Sequence, residues 1–563
     1  MTASTPQPQL RFVPGLPPET VEGWPGMDYS ETTDAGMRIQ RNVTVPMRDG
    51  KLLRVDLYRP EHADGPLPVL IAWSPYGKHG QLDWRYWPGN DVPTEDLSPY
   101  TCFETPDPAY WTRHGYAMIT ADARGTWGSE GNVTMGGPAE AEACYDLIEW
   151  AGTQEWSNGK VGMAGVSWYA VIQWAVAALQ PPHLAAINPW EGWSDLYYEV
   201  VTHAGIPETA FVPMLAPLIG YTREQVEDVA GLAMEHPFDD EYWASKRPDL
   251  TAIQVPAFVV ASWSDHGLHT RGTLEGYRHA SSPQKWLMVH GRKKWQNYYQ
   301  PDNLRRQALF FDRFLKDIPN ETDDWHPIAL EIRERYYQGE MRHEQEWPLA
   351  RTQYTESWLD ARERTLRAKP AEQEALTAYD ATTGSVHFDR TFDEDTEITG
   401  YSKLRLWVSA EGSDDMDLFV ALQKLDADGN KVNFPFFSTF EDGNVALGWL
   451  RVSRRELDEQ KSTPHQPKYA HQRDQLLNEG EIVPVDIEIW PSSTMFRAGE
   501  TLRVVVQGHD VNRYEEGLFA QRHEYLKNKG RHLIHTGGRY DSYLLLPTIP
   551  RTEVSMDAQR GCR

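Results

Sequence analysis

Residues 159–179 read GKVGMAGVSWYAVIQWAVAAL, and this stretch decides the fold. KVGMAGV is a short apolar run, the pattern of a strand buried on both faces. WYAVIQWAVAAL is long enough for a helix, and Pro181-Pro182 stops it. Between the two stands Ser167, at the junction of strand and helix. A strand that turns at once into a helix is the repeating unit of a parallel sheet.

The same alternation extends outward from that unit. Upstream, RNVTVPMRDGKLLRVDLYRP holds two alternating runs joined at Arg48-Asp49-Gly50, a hairpin signal. LPVLIAWSPY (67–76) and YAMITADARG (116–125) are strand-like, and Cys144, Leu147, Ile148 and Ala151 share one helical face in AEACYDLIEWA. Downstream, LAAINPW, VPAFVVASW and KWLMVH are further apolar strands. Strands alternating with helices predict an α/β class with a doubly wound, largely parallel sheet.

Two segments break the rhythm. Residues 196–250 look helical and offer no strand to extend the sheet, so they are expected to form a cap over the strand ends. After the helix NLRRQALFFDRFLKD, helical periodicity fades into strands: LRLWVSA, DLFVALQKL, VPVDIEIW, TLRVVVQG and SYLLLP. In VPVDIEIW, Val485, Ile487 and Ile489 alternate with Asp486 and Glu488, as in a half-buried antiparallel sheet. The expected organisation is an extended arm (1–35), a first core part (36–195), the cap (196–250), a second core part (251–335) and an all-β jelly-roll or sandwich domain (336–563).

Composition narrows the function. At 563 residues the chain exceeds a single hydrophobic core, which stops growing near roughly 250–300 residues. Its 82 acidic and 55 basic residues give a net charge of −27, which argues against nucleic acid or anionic membrane as partners. The three cysteines, Cys102, Cys144 and Cys562, are scattered and odd in number, so neither a disulfide framework nor a metal site is expected. The N-terminus lacks the basic start and apolar run of a secretory signal, and a cytoplasmic protein is the expectation. The acidic run GSDDMD (412–417) has no EF-hand spacing and reads as a solvated turn.

Chemistry concentrates on Ser167. A serine lifted above a sheet edge by a tight strand-to-helix turn is a nucleophile elbow, the signature of α/β-hydrolases. The turn needs small neighbours; Gly165 is one, Tyr169 takes the place of the usual second glycine, and Ala170 follows. A serine hydroxyl needs a base and an orienting carboxylate, and the chain order in this fold is Ser, acid, His. Asp265, just after VPAFVVASW, is the expected acid. His290, at the end of KWLMVH, is the expected base, with His266, His269 and His279 as rivals near Asp265. The Trp168 amide should be one oxyanion donor, and the loop WSPYGKHG offers the Tyr76 hydroxyl as a second, or as packing. Trp190, Glu191, Trp193 and Asp195 follow a strand end and are candidates for lining the substrate pocket, with Glu199 a further carboxylate for a substrate amine. Asp122 and Arg124 are expected to pair and brace the site, and the basic cluster GRKKW (291–295) to fix the His290 loop.

SPYGKH, GYAMITADARGTWGSEG, IEWAGTQEWSNGKVGMAGVSW, PPHLAAINPWEGWSD and ASWSDHG together resemble the CocE/NonD family, the cocaine esterase and Xaa-Pro dipeptidyl-peptidase type of α/β-hydrolase. EIVPVDIEIWPSSTMFRAGETLRVVV resembles the family's C-terminal jelly-roll domain. The resemblance implies Ser167 as nucleophile, Asp265 and a histidine as its partners, a helical cap, and Tyr76 together with the Trp168 amide at the oxyanion. The chain departs from the family pattern at Trp168, commonly tyrosine, and at Ala170, often glycine. It departs again in VHGRKKWQNYY, where many members carry their histidine in Gly-Pro-Trp-x-His.

The function these readings imply is ester hydrolysis on a small molecule through a Ser-His-Asp triad and an acyl-enzyme, with no cofactor or metal. The alternatives are an amide-directed relative (an acylase, an α-amino-acid ester hydrolase or a Xaa-Pro dipeptidyl-peptidase) and, more remotely, a carbohydrate- or partner-binding protein on a silent scaffold. A homo-oligomer is compatible with either.

Overall fold

In the computed structural model, which describes residues 10–80, 82–514 and 521–550, the hairpin signal at 48–50 is a hairpin. Strands β1 (Met37–Pro46) and β2 (Leu52–Pro60) pair antiparallel, with Gly50 at φ +81° in the turn. The continuous apolar runs become fully buried strands, β3 (Leu67–Ser74) and β4 (Ala117–Asp122). Then come β5 (Ser157–Val166), β6 (Leu184–Trp190), β7 (Ala257–Ser262), β8 (Lys285–His290), β9 (Ile328–Arg335) and β10 (Gln338–Glu344). Hydrogen bonding orders them β1-β2-β4-β3-β5-β6-β7-β8-β9-β10, parallel from β4 through β9 and antiparallel at both ends.

Each strand feeds both faces of this sheet. On β3, Val69, Ile71 and Trp73 point into a cluster with Leu147, Ile148 and Trp174, from the helices Pro138–Gly152 (α1) and Trp168–Ala177 (α2). Leu70 and Ala72 point the other way, into the cluster that holds Phe310 and Phe311 of helix Pro301–Leu315. The sheet is therefore doubly wound, and the ends of β5, β6 and β7 meet where the helices begin.

The segment 196–250 is more mixed than its sequence suggests. Helices Phe211–Ile219, Val229–Glu235 and Glu241–Ala244 are joined by two short strand pairs, neither of which enters the main sheet. One pair joins Gln225–Glu227 to Phe12–Pro14, so the described part of the N-terminal arm is bound to the cap. Residues 1–9 of that arm, and Cys562, lie outside the described residues.

From residue 353 onward the chain is mainly antiparallel strands. The longest pairing joins Thr396–Glu411 to Val483–Phe496, with a register shift between Gly400 and Ser402. The expected alternation in VPVDIEIW is only half realised. Val485, Ile487 and Ile489 are buried, but so is Glu488, because that strand face meets the core helix Thr270–His279 (α3) and Glu488 pairs there with Arg271. The α/β unit and the β-rich unit share a ladder: Arg333 of β9 pairs with Thr494. In GSDDMD, Asp417 pairs with Arg451, and Asp415 accepts the Ser453 amide and hydroxyl.

Candidate active site

The turn between β5 and α2 holds Ser167 at φ 60°, ψ −114°, a strained conformation for a non-glycine residue. Its amide donates to the carbonyls of Trp190 and Glu191 at the end of β6, both 3.1 Å away. Gly165 is needed here: it sits at φ +129°, and a Cβ there would lie 2.5 Å from Tyr169 Cβ. At position 192 a Cβ would lie 2.8 Å from Ala170 Cβ, so a glycine on the neighbouring loop, together with Ala170, keeps the helix close to the strand ends.

Ser167 Oγ lies 3.3 Å from His269 Nε2. The other ring nitrogen, His269 Nδ1, is 2.5 Å from Asp265 Oδ2. Asp265 follows β7, and His269 sits four residues later as the N-cap of α3, so one turn presents both side chains. Lys294, the first residue of the helix Lys294–Tyr298 (α4), places Nζ 3.0 Å from Asp265 Oδ2 and 3.1 Å from His269 Nδ1. Burial works against the Asp265 carboxylate, but Lys294 and then His269 outweigh it and hold its pKa well below the usual range. For His269, burial and then the Lys294 charge outweigh Asp265 and push the imidazole down to about 4. The Trp193 ring lies parallel to His269, with centroids 5.6 Å apart.

The structure does not bring His290 to the serine. Its Nδ1 accepts the Arg292 amide at 3.2 Å, and its Nε2 faces Glu191 Oε1 at 3.0 Å. The hydrogen bond to Ser167 is made by His269, one of the rivals that the sequence left open. The physical reason is register: His290 lies level with Ser262 on the adjacent strand. The turn after β7 carries its own imidazole instead.

The expected oxyanion donors gather at the same point. The Tyr76 hydroxyl is hydrogen-bonded to Ser167, and burial followed by the Glu104 charge raises its pKa well above a free phenol's, which keeps it a donor. The Trp168 amide belongs to the first turn of α2, where backbone donors have no partner within the helix. Its indole is anchored by Glu140 of α1, which accepts from Trp168 Nε1 at 2.8 Å and Trp73 Nε1 at 3.0 Å.

The candidate pocket residues divide. Trp190 is buried edge-on against Tyr298. Glu191 accepts from the Ser262 hydroxyl at 2.5 Å, and Asp195 is held by Arg247 at 2.6 Å. Glu199 accepts the Ser194 and Asp195 amides and pairs with Arg271. Only Trp193 touches the Ser–His pair. Asp122 and Arg124 do not pair with each other: Asp122 accepts the Lys78 amide at 3.0 Å, and Arg124 reaches Asp49 at 2.7 Å.

Sequence reasoning missed Glu104. Its carbonyl accepts the Val166 amide at 3.2 Å beside the nucleophile, at φ 64°. Its carboxyl accepts Trp295 Nε1 at 2.5 Å through one oxygen, while the other is buried with no hydrogen-bond partner. Burial, reinforced by Asp265 and Glu191 and opposed by Lys294, pushes this carboxyl up to about 8. Nothing in the local pattern CFETPDP marks it. The whole site is enclosed, with Ser167 1% exposed and His269 fully buried.

Fold and site together define a serine hydrolase of the α/β-hydrolase class. Residues 49–227 match the X-Pro dipeptidyl-peptidase (S15) family, and residues 325–545 match the X-Pro dipeptidyl-peptidase C-terminal non-catalytic domain. A CocE/NonD family hydrolase from Staphylococcus aureus is 41% identical and superposes with a TM-score of 0.89 over 94% of this chain and 97% of its own. The cocaine esterase of Rhodococcus sp. (strain MB1 Bresler) is 26% identical, over 92% of this chain and all of that one. An α-amino acid ester hydrolase structure shares the fold at 17% identity, with a TM-score of 0.70 over 94% of this chain and 99% of its own. The chain belongs to the CocE/NonD hydrolase family.

Proposed function

We propose that the protein hydrolyses carboxylic esters of small molecules through an acyl-enzyme on Ser167, with His269 as base and Asp265 as its orienting acid. The observation that carries this reading is the continuous chain Ser167 Oγ–His269 Nε2–His269 Nδ1–Asp265 Oδ2, at 3.3 and 2.5 Å. His269 Nε2 takes the hydroxyl proton as Oγ attacks the carbonyl. Asp265 holds the Nδ1 proton and so leaves Nε2 with its lone pair toward the serine. The tetrahedral oxyanion falls to the Tyr76 hydroxyl and the Trp168 amide. Protonated His269 then gives its proton to the departing alkoxide, and the same base activates the water that releases the acid. None of these steps needs a metal or cofactor.

The two-unit organisation places the α/β core and its cap at 36–335 and the β-rich unit beyond. The long antiparallel ladder between 396–411 and 483–496 supports reading the latter as a jelly-roll sandwich. Two buried free thiols, Cys102 and Cys144, fit a reducing, cytoplasmic setting. Among the described residues no helix is long and apolar enough to cross a membrane.

One observation favours a second reading, amide hydrolysis beside a substrate amine. Glu191, Asp195 and Glu199 are all engaged, but Glu104 keeps one buried carboxyl oxygen without a hydrogen-bond partner, and a substrate ammonium would ionise and pair it. Both readings are tested by a small fluorophosphonate and a panel of one p-nitrophenyl ester, one aminoacyl amide and one Xaa-Pro amide. Labelling is expected at Ser167, lost in Ser167→Ala, together with turnover of the ester. Turnover of the amides alone would give the second reading precedence. A folded, unlabelled and inert protein would reject both.

A further inference from the structure

The basic cluster 291–295 has no role in the chemistry as described so far, yet one of its side chains lies inside the site. Lys294 is 1% exposed, and its Nζ stands within hydrogen-bond distance of two atoms that already bond each other, Asp265 Oδ2 and His269 Nδ1. An ammonium only donates. Nδ1 is committed to Asp265, so the Lys294 hydrogen bond goes to the carboxylate and its charge faces the imidazole across 3.1 Å with no bond between them.

We propose that Lys294 is a positioning residue of the hydrolytic centre, clamping the carboxylate so that His269 keeps its Nδ1 proton and opposing the accumulation of charge on the imidazole before the serine is attacked. The proposal rests on the Ser167–His269–Asp265 reading and deepens it. A third group on the pair separates two tasks that one aspartate otherwise performs together. Asp265 alone orients the ring but also draws a second proton onto it. The adjacent ammonium retains the orientation and cancels that pull. No proton leaves Lys294; the only one that moves goes from Ser167 Oγ to His269 Nε2 and on to the leaving group.

The charged and titratable groups around His269 come from several elements. Asp265 lies on its own turn, Lys294 on α4, Ser167 on the elbow, and Tyr76 on the loop after β3. Glu104, on the loop before β4, and Glu191, at the end of β6, face the same cluster. Glu104, raised to about 8, carries little charge in neutral and acid solution. Asp265 therefore raises the imidazole, while burial and Lys294 lower it, to about 4. The base works only unprotonated, so activity should hold as pH falls and be lost only as it passes through about 4.

The test is the pH dependence of two rates, kcat/KM on p-nitrophenyl acetate and phosphonylation of Ser167, in wild type, Lys294→Gln and Lys294→Arg, each checked for fold by circular dichroism. Lys294→Gln keeps a donor and removes the charge. Its acid limb should move upward by about one pH unit or more, with the rate at neutral pH within about tenfold of wild type. Lys294→Arg should leave the limb in place. A Lys294→Gln limb that stays at the wild-type position, with rates lowered equally at every pH, would reduce Lys294 to a structural prop and overturn the proposal. Should Lys294→Gln not fold, histidine-labelled NMR of the wild type decides: a His269 titration near the ordinary value overturns it, and one displaced well into the acid range upholds it. Failure of the underlying reading looks different. In that case wild type is not labelled at Ser167, or His269→Ala is labelled as fast as wild type.

Discussion

Tyr76 and His269 carry the residue-scale consequences. Tyr76 donates to Ser167 from a position where burial keeps its phenol protonated. Replacing it by phenylalanine removes one oxyanion donor and little else, and should lower kcat by about 10²–10³ with KM little changed. A drop in affinity with kcat intact would make Tyr76 a packing residue. His269→Ala should abolish measurable turnover, whereas His290→Gln should retain most of it, because His290 faces Glu191 rather than the nucleophile. The reverse outcome, read from ester hydrolysis by the two purified variants, would restore His290 to the centre.

At the scale of the element, the elbow is the sensitive part. Gly165→Ala puts a methyl group 2.5 Å from Tyr169 Cβ at a backbone φ of +129°. That strain should cost about 1–3 kcal/mol and tilt α2, so fluorophosphonate labelling should slow along with a lower melting temperature. Unchanged labelling would show that the turn relaxes without moving Ser167. The elbow was legible in the sequence because strand, serine and helix are contiguous there, and each announces itself by its own periodicity. Asp265 was legible for the same reason, as the first carboxylate after a buried strand. The base was not. Residues 290 and 269 both follow the acid, and the choice between them depends on how far β8 extends and where its neighbours reach, which no local pattern encodes. One signal was present: GRKKW places a lysine near where relatives carry histidine, while Asp265 and His269 have the spacing of a single turn. Glu104 was illegible because its role comes from the packing of Trp295 and Val166, distant in sequence.

Across the whole molecule, Arg271 joins three parts. From α3 it pairs with Glu199 of the cap at 2.8 Å and with Glu488 of the β-rich unit at 3.1 Å, and its guanidinium lies 4.2 Å from the centroid of the Tyr198 ring. Arg271→Met would strand two buried carboxylates, an arrangement that costs about 3–5 kcal/mol. The expected result is a markedly lower denaturant midpoint and enhanced proteolysis within 196–250. A midpoint equal to wild type would mean that the carboxylates simply take up protons. The ladder between β9 and the strand Val483–Phe496 makes the same point in the backbone: the β-rich unit contributes hydrogen bonds to the catalytic sheet's edge rather than hanging from a linker.

The turn that bears both Asp265 and His269 also has a meaning for how such a chain changes over generations. Where acid and base sit on separate loops, each loop is free to lengthen or shorten as long as its own tip stays put. Here the two are inherited as one cassette of fixed length, and an insertion or deletion of a single codon between them silences both at once. Diversification of this lineage toward new substrates is thereby channelled away from the 265–269 turn and into the cap and the Tyr76 loop, which is where a mutagenic library built on this scaffold should place its variation.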